Sequence, residues 1–207
     1  MAKIGKYDIQ IDKTLSISEN VVRIMKERDA FRILAHTEAV ANTGAEIAAR
    51  FGVNCEKVKT ACYLHDISFM IPRDDYADIC AERGFEVLPV EQKYPILLHQ
   101  RVSKIIAAEA FGVSDAEVLS AIGSHTTLSA HPSEMDMAVF IADKLSWDQD
   151  GIPPFFECVS HALQISLKAA CLVYIDFILD NKMVFVPHPY LLAAKAYFES
   201  LPANKQA

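Results

Sequence analysis

An all-α fold, a helical bundle forming a single globular domain, is what this sequence predicts, and three observations predict it. About eight to ten segments repeat apolar residues at helical spacing, and no long segment alternates as a strand would. At 207 residues with 52% hydrophobic content, the chain can bury a core well above the marginal size. Glycine and proline, 7 and 9 residues, are too few for a disordered or fibrous class.

Residues 1–18 read as an N-terminal lead-in, either frayed or holding a short strand around Tyr7 to Ile11, and residues 19–200 as the folded domain. Ser18 to Arg32 predicts a helix with Ser18 as N-cap. Ile33 to Phe51 is a stronger one, its alanines spaced for close packing and Gly52 following as a stop. Asn54 caps a helix carrying Val58, Ala61, Cys62 and Leu64, with His65 near its end. Pro72 limits that region, and residues 73–84 give a short helix stopped by Gly84. Two prolines make residues 86–95 a loop leading into a helix over residues 96–112. Ser114 with Glu117 is a capping-box signature for Asp115 to Gly123. A polar interruption brings His125 and His131 to a loop or helix end before a helix over residues 134–146. After a turn with two prolines, residues 157–182 give the longest helical pattern, and Tyr190 to Glu199 the last.

The net charge of −7, from 20 Lys and Arg against 27 Asp and Glu, excludes a non-specific nucleic-acid binder. An anionic substrate would have to be met locally, by a metal or by a few placed cations. The longest apolar candidate, Ala169 to Leu179, contains Asp176 and is too short to cross a membrane. No secretory leader is expected, and five scattered cysteines without a C-x-x-C pair fit reduced thiols in a cytoplasm.

The residues that carry chemistry are histidines and aspartates. His36, His65, His99 and His125 sit on or at the ends of predicted helices in apolar settings, and Asp66 directly follows His65. Asp143, in "VFIADKLS", places a carboxylate in a core pattern, where it needs a cation or a hydrogen-bonding partner. Imidazole and carboxylate together suit divalent first-row metals. His36, His65, Asp66 and Asp143 would make one site. His99 and His125, with Asp66 bridging through its second oxygen, would make another about 3.5–4 Å away, a pair able to activate a bridging water against a phosphoryl group. The blander reading has His65 and Asp66 capping a helix while Asp143 pairs with Lys144 or Arg101. No phosphate-loop, dinucleotide, zincin or serine-hydrolase motif is present.

The segments "ILAHTEAVANTGAEIAARFG", "ACYLHDIS", "ILLHQRVSKIIAAEAFG", "AIGSHTT" and "VFIADKLS" occur in the order of the HD-domain superfamily. They resemble, more specifically, the YqeK-like symmetrical bis(5'-nucleosyl)-tetraphosphatases, over about Leu34 to Phe198. The H…HD…D pattern marks the superfamily; the histidine in "LLH" and the "SHTT" segment mark the branch. The resemblance implies a first metal on His36, His65, Asp66 and Asp143 and a second on His99 and His125 with Asp66 shared and catalytic. It also implies symmetrical hydrolysis of diadenosine tetraphosphate to two ADP, with iron as native metal and manganese, cobalt or zinc as substitutes, in a cytoplasmic and commonly dimeric protein.

Two departures remove positive charge. Phe69, in "HDISF", stands where the family has lysine, and Asp148, Gln149 and Asp150 stand around the place of its arginine. Arg101, Lys104, Thr126 and Thr127 are candidate phosphate contacts, each with an ordinary alternative as a solvated or capping residue. His131 is near the site in sequence. Hydrolysis of another nucleotide, and a metal-containing nucleotide sensor without turnover, are the competing readings.

Overall fold

Gly5, at φ 57°, turns the first residues back on themselves, so that β1 (Ala2–Ile4) pairs antiparallel with β2 (Tyr7–Ile9). The computed structural model describes residues 2–147 and 149–201. The lead-in is thus a hairpin, and its Ile4 and Ile9 are buried in the core.

Helix α1 (Ile17–Glu27) starts two residues earlier than Ser18 suggests. Ser16 is the cap: its hydroxyl accepts from the Glu19 N–H at 3.2 Å, and the Glu19 carboxylate accepts from the Ser16 N–H at 2.7 Å. Asp29, at φ 52°, breaks the chain before α2 (Phe31–Phe51), which Gly52 ends in a left-handed conformation at φ 70°. Asn54 caps α3 (Cys55–Leu64) as expected. Two 3₁₀ turns, Ile67–Met70 and Arg73–Asp75, lead to α4 (Tyr76–Ala81).

The segment expected as a loop holds α5 (Pro89–Lys93) and a 3₁₀ turn, Pro95–Leu98. Each proline sits at the first helical position, where its missing N–H costs nothing. Helix α6 (His99–Glu109) follows. Asp115, rather than Ser114, caps α7 (Ala116–Ser124), accepting from the Glu117 and Val118 N–H groups. Ser133 caps α8 (Glu134–Leu145). The long C-terminal pattern is two helices, α9 (Phe156–Leu163) and α10 (Leu167–Asp180), because Ser166 takes an extended backbone and caps the second. Helix α11 (Pro189–Ser200) closes the chain.

Helix α2 lies against α3 and α8, α8 against α7 and α10, and α6 against α7. Gly44 permits the tightest of these approaches: a Cβ there would come within 2.7 Å of Cys62 Sγ and 3.1 Å of Val58. The inner faces carry Val40, Ile47, Leu64, Ile106, Ile122, Phe140 and Ile141, all nearly or fully shut from solvent, each contributing roughly 1.5–3 kcal/mol. All five cysteines are free thiols, and burial pushes Cys80 up to about 11. No helix among the described residues is long and apolar enough to cross a membrane.

Candidate metal centre

Polar side chains from five helices and their ends converge inside the bundle. His36 comes from α2, His65 and Asp66 from the end of α3, His99 from the first residue of α6, His125 from the end of α7 and Asp143 from α8. His65 and His125 are shut from solvent, while His36, His99 and Asp143 keep a narrow exposure. Six polar groups in such a place require mutual satisfaction or a cation.

Backbone carbonyls decide which way the imidazoles present themselves. His65 Nδ1 lies 2.6 Å from the Cys62 oxygen, His99 Nδ1 2.5 Å from that of Ile96 and His125 Nδ1 2.8 Å from that of Ile122. His36 Nδ1 lies 2.9 Å from the Ser146 oxygen. A carbonyl can only accept, so each Nδ1 carries the proton and each Nε2 turns a lone pair inward.

Those lone pairs face one another. His99 Nε2 is 2.9 Å from His125 Nε2, and His65 Nε2 is 3.3 Å from His36 Nε2. Two acceptors at such a distance repel unless a proton or cation lies between them, and this donor set fits divalent metal. Asp66 stands between the pairs, with one carboxylate oxygen 3.6 Å from His65 Nε2 and the other 3.4 and 3.5 Å from those of His99 and His125. Asp143 turns Oδ1 toward His36 at 3.1 Å and His65 at 3.7 Å. His36, His65 and Asp66, and separately Asp66, His99 and His125, each bring ligand atoms within 4.8 Å of one another.

Burial alone would raise the Asp66 pKa, but His65, His125 and His99 outweigh it and hold the carboxyl far below its usual range. Asp143 behaves likewise: burial opposes ionisation, and Lys144, His36 and His65 overcome it. His36 ends above the ordinary histidine value because Asp143 and Asp66 outweigh its burial. Burial and the neighbouring His125 bring His99 down to about 4, so it stays neutral and able to ligate near pH 7.

The expected substrate contacts occupy different settings. Thr126 places Oγ1 3.1 Å from His99 Nε2. Thr127 is buried and accepts from Gln100 at 2.9 Å. Lys104 lays its stem across Gly123, with its ammonium 6.0 Å from the Phe85 ring. Arg101 is engaged inward, 3.1 Å from the buried Glu91 carboxylate and donating to the Glu86 carbonyl at 2.6 Å. His131 packs edge-on against Tyr197, with ring centroids 4.6 Å apart. Phe69 packs against the core; Asp148 lies outside the described residues.

Three features escaped the sequence reading. Gln100 is buried and its amide oxygen accepts from the Thr126 and Thr127 N–H groups at 3.0 and 3.3 Å, fixing the turn after His125. Lys144, considered only as a rival partner for Asp143, takes the outer oxygen Oδ2 at 2.6 Å while Oδ1 remains toward the histidines, so pairing with Lys144 leaves one oxygen turned to the cluster. Glu91 joins Arg101 to His188, the cap of α11, at 3.3 Å. A polar residue at a core position of a helical pattern was the available signal for Gln100; Glu91 and His188, 97 positions apart, gave none.

Fold and ligand set together define a helical hydrolase of the HD type, and the chain belongs to the HD domain family, whose profile matches residues 33–148. Among its relatives, an uncharacterized protein in the pepC 5' region of Lactococcus lactis subsp. cremoris is 41% identical over 137 residues, which are 66% of this chain and 70% of that one. The symmetrical bis(5'-nucleosyl)-tetraphosphatase of Bacillus subtilis is 26% identical over 125 residues, 60% of this chain and 67% of its own. A solved structure from Clostridium acetobutylicum, described as a predicted HD superfamily hydrolase involved in NAD metabolism, superposes with a TM-score of 0.75. It is 25% identical, over 89% of this chain and 95% of that one.

Proposed function

We propose that this chain hydrolyses a dinucleoside polyphosphate, cleaving diadenosine tetraphosphate symmetrically into two ADP. One observation carries the reading: two histidine pairs turn their Nε2 lone pairs toward a single carboxylate, Asp66, whose two oxygens face different pairs. The similarity to the Bacillus subtilis tetraphosphatase supports the substrate.

Two divalent ions, iron first and manganese, cobalt or zinc as substitutes, would supply Lewis-acid activation of water and neutralise phosphoryl charge. His36, His65, Asp66 and Asp143 would hold one ion, and His99 and His125, sharing Asp66, would hold the other. Water adds to one of the two central phosphorus atoms, the bridging P–O bond breaks, and ADP departs with its electron pair. As a weakly basic leaving group, ADP needs no strong general acid. Thr126, beside His99, and Lys104 contact phosphate oxygens. Arg101 and Thr127 serve by holding α6 and the following turn, and Lys144, next to Asp143, supplies the cation that Phe69 does not. The helical unit, residues 19–200, carries the hydrolysis with the N-terminal hairpin packed into its core, acting in a cytoplasm as a homodimer.

The test is anaerobic turnover of diadenosine tetraphosphate by the iron-loaded chain, with products separated. ADP as sole product, lost in Asp66→Ala, is the expected result. Orthophosphate from mononucleotides, with the tetraphosphate untouched, would transfer the assignment to a nucleotidase. Bound dinucleotide without turnover would make the protein a sensor.

A further inference from the structure

Glu91 is fully buried, and three donors meet its carboxylate. One oxygen lies 3.1 Å from Arg101 Nη2 and 3.3 Å from His188 Nε2, and the other accepts from the Leu88 N–H at 2.8 Å. His188 Nδ1 accepts from the Tyr190 N–H at 3.2 Å, so its Nε2 carries the proton that faces Glu91. Arg101 is itself buried, and its guanidinium also lies 5.7 Å from the Tyr190 ring. One carboxylate thus joins α5, α6 and the start of α11, and taking it away would leave the Arg101 charge uncompensated.

Between Glu91 and Arg101 the chain turns. Residues Gln92 to Leu97 are exposed or half-buried, Ile96 being 41% exposed, so core packing does little to fix this stretch. Yet the Ile96 carbonyl aims the His99 ring through Nδ1, and Gln100, which holds the turn after His125, follows directly. Both devices fall inside the loop that Glu91 and Arg101 close. His36 and His65 take their aim from Ser146 and Cys62, outside it.

We propose that Glu91 is a positioning residue for the His99 half of the centre: its ion pair with Arg101 fixes the loop that aims His99, and His188 extends that hold to α11. The inference rests on the two-ion reading of the centre.

The measurement is zinc titration of the full chain beside Glu91→Gln, which keeps the volume and removes the charge, with ring-nitrogen spectra of the zinc-loaded proteins. The variant should keep its first equivalent at wild-type affinity and hold the second roughly 10-fold more weakly. The His99 ring signals should move while those of His36 and His65 stay in place. A merely structural role lowers the unfolding temperature and leaves both affinities and all three rings unchanged, which would overturn the proposal. A wild type that takes up no second ion would end the two-ion reading, and this inference with it. Should Glu91→Gln fail to fold, Glu91→Leu with Arg101→Met exchanges the buried pair for apolar groups, a change that is often neutral for stability. The same selective loss on the His99 side is expected there, and two undisturbed sites would defeat the proposal.

Discussion

The two halves of the candidate metal centre are built unequally. The His36 and His65 side has a carboxylate of its own, Asp143, in addition to Asp66, and Lys144 holds the outer oxygen of that carboxylate. The His99 and His125 side shares only Asp66 and brings its two nitrogens to 2.9 Å. Opposite shifts follow from this: His36 gains proton affinity from Asp143 and Asp66 despite burial, whereas burial and His125 hold His99 at about 4. The extra carboxylate gives the first side the more negative surroundings, so a divalent cation should fill it first and leave it last.

The largest effect belongs to the shared group. Asp66→Ala should remove metal from both sides and lower turnover on the order of 10³-fold or more, read by metal analysis beside product formation; retention of two equivalents would show that Asp66 does not bridge. Next, His99→Ala should leave one tightly held equivalent, whereas His36→Ala should weaken the better site. Equal losses in the two variants would abolish the inequality.

Glu91→Gln removes the counter-charge of the buried Arg101, which keeps its bond to the Glu86 carbonyl, costing about 3 kcal/mol. It should also flatten the acid limb of the stability profile. Burial raises the Glu91 pKa, but His188, the Leu88 N–H and Arg101 outweigh this and depress it in the fold. Its stabilisation is therefore complete above the unfolded value of about 4.3 and lost as pH falls through the lower folded one. A variant with an unchanged acid limb would assign that limb elsewhere.

Smaller changes can address one side at a time. Gly44→Ala sets a methyl against Cys62 and Val58 on the α2–α3 seam, costing about 1–3 kcal/mol and disturbing the His36 side, as calorimetry with metal analysis would show. Gln100→Ala orphans the Thr126 and Thr127 N–H groups; metal affinity on the His99 side should fall roughly 10- to 100-fold while the other side is spared. Loss from both sides in Gln100→Ala would mean that the halves are mechanically one.

The all-helical class and the six residues that gather were legible because helical periodicity and polar residues in apolar runs are local signals. Where reading failed, a neighbour or a cap decided. Ser16 displaces Ser18 because Glu19 stands three residues beyond it. The α9–α10 break hides because Gln164 and Ser166 read as the polar positions of one long helix, and the extended backbone at Ser166 reveals it. Pro89 and Pro95 read as breakers yet open helical turns. Arg101 has Glu91 and, through it, His188 for company, and nothing near it in sequence announces either.

His65, His99 and His125 take their alignment from carbonyls three residues back in their own chain segments, whereas His36 takes it from Ser146, 110 positions away. Three imidazoles are thus aimed by the segment that bears them, and the fourth only by assembly. His36 is consequently the gauge of the whole bundle: slippage of α2 against the end of α8 would spoil the first side of the centre while the second kept its aim, turning a mechanical fault into a chemical one.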